Sequence, residues 1–285
     1  MSNGVNTNTA LYYNLLKKVL TASIYDQSSW SVVYMDPPEW RTDRNILRLI
    51  RNHIKWQILK FLKKRSYSIL KTNPLDAKAR ELGNDWPSLM GFTMVGHRRL
   101  DNVEACIEDV LKNNIEGDFI ETGAWRGGVT MYMRAILKAH GITDRIVWVA
   151  DSFEGLPVPA SEEDGWDLSK VQMLKVSLEQ VKENFKKLGL LDDQVRFLKG
   201  WFCDTLPGAP FDKLAILRLD GDMYSSTMDS LKNLYPKLSR GGYVIVDDYY
   251  SWSSCNKAVS DYLGMNGLTP EILRIDDHAA YWKRE

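Results

Sequence analysis

Residues 118–128 read DFIETGAWRGG, and this stretch decides the fold. Asp118–Glu121 is a short apolar strand, and it runs into a turn rich in glycine. Thr130–His140 then has the spacing of a helix, ended by Gly141. A strand, a glycine turn and a helix in this order make the opening unit of a doubly wound α/β sheet. Glycines there let a ligand approach the backbone, while the helix N-terminus presents free N–H groups.

The pattern is not G-x-G-x-x-G, and the loop opens on Glu121, an awkward neighbour for phosphates. A nicotinamide dehydrogenase therefore fits poorly. The carboxylate suits a cationic or hydroxyl-bearing ligand such as S-adenosylmethionine. The plainer reading is that Gly123 and Gly127 only shape a tight strand-to-helix turn.

Outward from this unit the alternation continues. Leu100–Asn113 places Val103, Ile107, Val110 and Leu111 at helical spacing, and Leu178–Leu188 is also helical. Ile146–Ala150 is a strand ending at Asp151, where doubly wound folds often set a carboxylate on ribose hydroxyls. Val195–Leu198, Leu214–Leu219 and Tyr243–Val246 are further strands. Runs such as LAILRL and YVIV suit strands buried on both faces, as in a parallel sheet. EILRI and AAYWKR, separated by DDH, predict a closing hairpin at the sheet edge.

The next chemistry-bearing feature is acidic. LAILRLDGD and YVIVDD each end a strand in aspartate, so Asp220, Asp247 and Asp248 should converge at the carboxyl rim of the sheet. Carboxylates gathered there repel one another unless a cation compensates. Oxygen donors without Cys or His favour Mg²⁺ first, then Mn²⁺ or Ca²⁺. Such an ion would lower the pKa of a substrate hydroxyl. The competing reading is helix caps and turn residues. Among the histidines, His97 is a backup substrate contact ranked below the aspartates, because a lone histidine is more often structural.

The 285 residues carry 37 basic and 37 acidic side chains, which excludes a wholesale nucleic-acid binder. The balance is uneven along the chain. Residues 1–100 hold 16 Lys and Arg against 7 Asp and Glu, and the remainder holds 21 against 30. Three scattered cysteines argue against a disulfide framework and for a reducing, cytoplasmic setting. Residues 1–20 lack the pattern of a secretory signal, and no apolar run approaches the ~18 residues of a membrane span.

Much of the basic excess falls in residues 41–71, with ten Lys and Arg against Asp43 alone. Apolar residues recur there at three- to four-residue steps, giving a basic amphipathic helix. It reads either as a helix packed on its own domain or an oligomer interface, or as a peripheral contact with the inner membrane surface.

Taken together, LLKKVLTASIYD, TMVGHRRLDN, GDFIETGAWRGG, WVADSFEGLP, LLDDQVRFLKGWFCDTLP, LRLDGDMYSST, LYPKLSRGGYVIVDDY and AAYW resemble the macrocin-type (TylF/MycF-like) sugar O-methyltransferases, with the novobiocin methyltransferase as a relative. The resemblance implies a Rossmann-like class I methyltransferase fold. That fold has a mostly parallel seven-stranded sheet, helices on both faces, a C-terminal antiparallel hairpin and a mainly helical N-terminal extension. It divides the chain into 1–90, with an insertion at about 37–75, and a catalytic domain at 91–285.

The resemblance also implies S-adenosylmethionine- and Mg²⁺-dependent methylation of a hydroxyl, typically on a sugar, by a dimer or higher homo-oligomer. By motif, Thr93, Met94, Glu121, Thr122 and Gly123 line the methionine end of the cofactor. Asp151 and Ser152 hold the ribose, and Gly200, Trp201 and Phe202 lie near the adenine. Asp220, Asp247 and Asp248 bind the metal, Asp220 is the base candidate, and Pro159–Lys170 matches a mobile loop over the acceptor. The acceptor is then a natural product or a surface or lipid-linked glycan. A catechol-like phenol as acceptor, or a non-catalytic nucleotide- or glycan-binding module, are the alternatives.

Overall fold

The computed structural model describes residues 7–24, 28–32, 46–67, 69–74, 78 and 90–285. Of the basic segment, 41–45 and 68 lie outside the described residues. In chain order the N-terminal elements are α1 (Thr7–Leu20), β1 (Ser28–Val32), α2 (Ile46–Lys64) and β2 (Leu70–Pro74). There follow α3 (His97–Lys112), β3 (Asp118–Thr122), α4 (Gly128–Ala139), β4 (Val147–Asp151), α5 (Leu178–Lys187) and β5 (Val195–Lys199). The last part contains α6 (Phe202–Thr205), β6 (Leu214–Leu219), α7 (Tyr224–Leu234), β7 (Leu238–Val246), α8 (Ser253–Met265), β8 (Leu273–Arg274) and β9 (Ala280–Lys283).

Seven strands form one sheet in the order β5-β4-β3-β6-β7-β9-β8. The strands from β5 to β7 are parallel, β9 is antiparallel to β7, and β8 pairs antiparallel with β9. This is the mostly parallel sheet with a closing hairpin that the sequence predicts. The final strand lies inside, against β7, and leaves the two-residue β8 as the edge. In the N-terminal region, expected to be mainly helical, β1 and β2 also form a separate antiparallel ladder on either side of α2 in sequence.

The strand order reverses between β3 and β6, because β4 and β5 continue to one side and β7 to the other. Ligands of open α/β sheets bind at that reversal, outside the carboxyl ends of the strands. The period-2 alternation of β3 feeds two cores. Phe119 joins Leu100, Ile107, Met131, Ile136, Val149 and Phe185 on one face. Ile120 joins Trp148, Leu217, Leu231, Val259 and Trp282 on the other. Each such side chain contributes about 1.5–3 kcal/mol on leaving water.

The first helix is part of this packing. Tyr13, Leu16 and Leu20 of α1 belong to the first core, and buried Lys17 pairs with Asp101 and Glu104 of α3. The Phe92 N–H donates to the Leu20 carbonyl at 2.8 Å, which brings 92–94 back towards the sheet rim. Among the described residues, no helix is long and apolar enough to cross a membrane.

Candidate functional site

The glycine loop owes its shape to two close approaches. A Cβ on Gly123 (φ +93°) would fall on the carbonyl oxygen of Asp220. Only glycine lets the end of β3 lie against the end of β6. A Cβ on Gly128 would come within 2.6 Å of the Thr93 Cβ, so glycine also admits the 92–94 segment to the start of α4. Thr93 is buried there and its hydroxyl accepts from the Val95 N–H at 3.2 Å, with Met94 partly exposed beside it.

Glu121, at the end of β3, is buried. It accepts from the Thr130 N–H in the first turn of α4 at 3.2 Å, where the helix N-terminus favours an anion. Burial nevertheless pushes its carboxyl up to about 7 against the opposing pull of Arg218. Thr122 follows it, fully buried, its hydroxyl directed to the Arg218 carbonyl at 3.4 Å.

Asp151, at the end of β4, holds the loop together. Its Oδ2 accepts from the N–H groups of Ala124 (2.8 Å) and Trp125 (3.1 Å), and its Oδ1 from Phe153 (2.7 Å). Burial raises its pKa in spite of these donors. Ser152 donates to the Gly155 carbonyl at 2.7 Å, and the Gly200 N–H donates to the Asp151 carbonyl at 3.0 Å. Trp201 and Phe202 begin α6, and a Cβ on Gly221 would lie 3.5 Å from the Phe202 ring. The expected cofactor residues thus line the carboxyl ends of β3, β4 and β5 and the returning 92–94 segment.

The centre of the site is a residue that the sequence reading left out. Arg218 is the one charge in LAILRL, and it is buried on the central strand β6. In register it lies between Glu121 of β3 and Ile245 of β7. Its guanidinium pairs with Glu121, with Asp220 at 2.8 Å and with Asp247. Three carboxylates around it hold its pKa well above the usual arginine value against the cost of burial. A buried ion without such partners would be untenable.

Asp247 is gripped from a second direction. Arg99 of α3 donates to it at 2.6 Å and to Asp276 of the β8–β9 turn at 2.7 Å. Asp276 also accepts from the N–H groups of His278 (2.8 Å) and Ala279 (2.9 Å). Burial opposes ionisation of Asp247, but Arg218 and Arg99 outweigh it and keep the carboxyl below the usual range.

Of the remaining rim acids, Asp220 shares only the Arg218 guanidinium, and it stands close to two further aspartates. Among the described residues, Asp220, Asp222 and Asp248 offer carboxylate oxygens that all lie within 4.8 Å of one another. Burial, with Asp247 nearby, pushes Asp220 up to about 8. Burial and the neighbouring aspartates hold Asp248 well above the usual carboxylate range, and it shares a hydrogen bond with Asp222, itself raised by burial. Hard oxygen donors in such a group fit Mg²⁺ or Mn²⁺. The structure therefore gathers Asp220 and Asp248 of the expected metal set with Asp222, and commits Asp247 to two arginines.

His97 lies at the start of α3, with its Nε2 3.3 Å from the Thr21 hydroxyl and 3.1 Å from that of Ser23. Its contacts there join the end of α1 to the domain. The loop 159–170 is pinned through Asp164, which accepts from the N–H groups of Ala160 (2.8 Å) and Ser225 (2.7 Å), and through a 3.1 Å Lys257–Glu163 pair.

With this geometry in place, comparison with known proteins is decisive. The macrocin O-methyltransferase (TylF) family model matches residues 9–284. The chain belongs to the TylF family.

Among its relatives is the 8-demethyl-8-(2,3-dimethoxy-alpha-L-rhamnosyl)-tetracenomycin-C 4'-O-methyltransferase of Streptomyces olivaceus. It is 53% identical over 213 residues, 73% of this chain and 81% of that protein. The demethyldecarbamoylnovobiocin O-methyltransferase of Streptomyces niveus is 50% identical over 214 residues, 73% and 80% of the two chains. The solved structure of the O-methyltransferase NovP has a TM-score of 0.77 at 42% identity, covering 96% of this chain and 98% of that one. The structure of CalS11, a calicheamicin methyltransferase, has a TM-score of 0.53 at 15% identity and shares the fold. This TylF-family chain is an enzyme, an O-methyltransferase, and its fold supports S-adenosylmethionine as methyl donor.

Proposed function

We propose that this TylF-family enzyme transfers the methyl group of S-adenosylmethionine to a hydroxyl of a sugar on a glycosylated small molecule, with Mg²⁺ held at the rim of the sheet. The observation that carries the reading is the group Asp220, Asp222 and Asp248. It stands at the strand-order reversal beside the Glu121–Gly123 loop. Its relatives' names support the acceptor class, since one methylates a rhamnosyl-bearing tetracenomycin and another is a mycinamicin III 3''-O-methyltransferase.

Methyl transfer is a displacement at a sulfonium carbon, so the protein must chiefly align donor and acceptor. Glu121 and the N–H groups at the start of α4 would receive the amino-acid end of the cofactor, and Asp151 and Ser152 its ribose. When bound, Mg²⁺ supplies acidity to a sugar hydroxyl, which is otherwise a poor nucleophile near neutral pH. Asp220 and Asp248 are suited to grip the ion.

The proton acceptor in this reading is Asp222. Asp220, the base expected from the motif, has one oxygen engaged by Arg218, whereas the bond of Asp222 is to Asp248. With Asp220 and Asp248 as the residues that would hold the ion, Asp222 would be the carboxylate left to take the proton. Arg218 and Arg99 act at a distance from the transfer by fixing Asp247 and, through it, the rim.

Incubation with S-adenosylmethionine, Mg²⁺ and a panel of glycosylated natural products and simple catechols, read by mass spectrometry, tests the acceptor. The expected result is one added methyl group on a sugar hydroxyl. Turnover of catechols with none of the glycosides would overturn the sugar assignment.

A further inference from the structure

Helix α2 has two apolar sides. Leu49 is buried, and Trp56 and Leu59 on the same side are partly covered. Ile46, Leu47, Ile50, Ile54, Ile58 and Phe61 are between 48% and 76% exposed. At about 100° per residue these six fall within an arc of about 120°, one stripe along the helix interrupted only by Gln57 among its described residues. A contiguous apolar patch of this kind on a folded surface marks something that covers it.

The charges beside the stripe say what that is. Exposed Arg51 and Lys55 follow one edge, and Lys60 and Lys64 the other. The Arg65 guanidinium stacks 4.3 Å from the Phe61 ring at the end of the stripe. Residues 46–67 contain no aspartate or glutamate. A second copy meeting this stripe face to face would bring rows of lysine and arginine together with no carboxylate on the segment to offset them. An anionic surface is complementary to both the stripe and its borders.

We propose that the outward stripe of α2, flanked by Arg51, Lys55, Lys60 and Lys64, is a docking surface for an anionic lipid bilayer. The helix lies in the plane of the headgroups with its apolar side chains inserted and its cations at the phosphate level. This places the enzyme at a membrane face through α2. It is independent of which acceptor is methylated.

Co-sedimentation of the full chain with phosphatidylglycerol or phosphatidylcholine vesicles tests it, with circular dichroism and thermal melting as controls for folding. The expected result is binding to phosphatidylglycerol vesicles that weakens as salt rises, and none to phosphatidylcholine. Because each cation near an anionic surface is worth about fivefold, the pair Arg51→Gln and Lys64→Gln should weaken binding about 25-fold. Ile54→Asp with Phe61→Asp should abolish it.

Failure of the full chain to sediment with phosphatidylglycerol at low salt would overturn the proposal. So would undiminished vesicle binding by the Ile54→Asp, Phe61→Asp variant. If that variant also changes an oligomer into a monomer by sedimentation equilibrium, the stripe belongs to a second copy of the chain.

Discussion

At the residue scale, the site depends on where charge can be buried and where a Cβ cannot fit. Gly123→Ala forces a methyl group onto the Asp220 carbonyl at a backbone angle that alanine rarely adopts. It should lower the thermal midpoint and abolish binding of S-adenosylhomocysteine, both read on the same preparation by melting and calorimetry.

The aspartates should separate by role. Asp220→Asn is expected to lose Mg²⁺ affinity and activity together. Asp222→Asn should retain Mg²⁺ and cofactor binding in calorimetry yet lose at least ~100-fold in kcat, the usual scale for a removed general base. Equal loss of Mg²⁺ binding in both variants would return Asp222 to the ligand set.

The spacing of strand ends made Asp220 and Asp248 visible in the sequence, because the carboxyl rim is a property of topology. Asp222 was hidden. It stands two residues past Asp220 in DGD and reaches the cluster through a left-handed backbone (φ 57°), which spacing alone does not reveal. Arg218 left a trace, a single charge inside an apolar run that must be buried on both faces. Its partners Glu121 and Asp247 come from two other strands, so the pairing was not legible before the register.

At the scale of elements, the fold was more legible than the site. Continuous apolar runs in LAILRL and YVIV marked β6 and β7 as interior strands, and the glycine turn marked the β3–α4 junction. Two features escaped this reading. The β1–β2 ladder pairs SSWSV with LKTNP, short segments that 37 residues separate and no alternation announces. The packing of α1 into the main core depends on Tyr13, Leu16 and Leu20 meeting α3 and α4, which helical periodicity predicts as an apolar face without naming its partner.

Between elements, α4 is tied to the loop before β5 by a two-pronged ion pair. Arg134 donates to Asp192 at 2.9 and 2.7 Å, with the arginine side chain buried and a third of the aspartate exposed. The hydrogen bonds from Arg134 hold Asp192 below the usual carboxylate range despite partial burial. A lowered folded pKa means that this stabilisation is complete above the unfolded value of about 3.9 and is lost as pH falls through the folded one. Asp192→Asn should therefore cost about 2 kcal/mol at pH 6–8, a figure that allows for solvent screening. The difference from the parent should shrink below about pH 4, and urea unfolding at several pH values measures it.

At the scale of the whole molecule, a net charge of zero conceals a division of labour. The acidic excess lies with the catalytic sheet, where Arg218 pairs with Glu121, Asp220 and Asp247, Arg99 pairs with Asp247, and Asp222 and Asp248 stand beside Asp220 in the proposed cation site. Much of the basic excess lies in and around α2, away from the glycine loop in sequence, and Arg51, Lys55, Lys60, Lys63, Lys64 and Arg65 are exposed. Methyl transfer and surface docking therefore make separate demands on the chain, and substitutions in one should leave the other intact.

In the proposed reaction the cation is essential. Methyl transfer to a glycosylated acceptor, followed by mass spectrometry in EDTA and then after Mg²⁺ is restored in excess, examines it most directly. The proposed function predicts loss of product in EDTA and recovery with Mg²⁺ in the parent enzyme, with no recovery in Asp220→Asn. Full turnover in EDTA would contradict it.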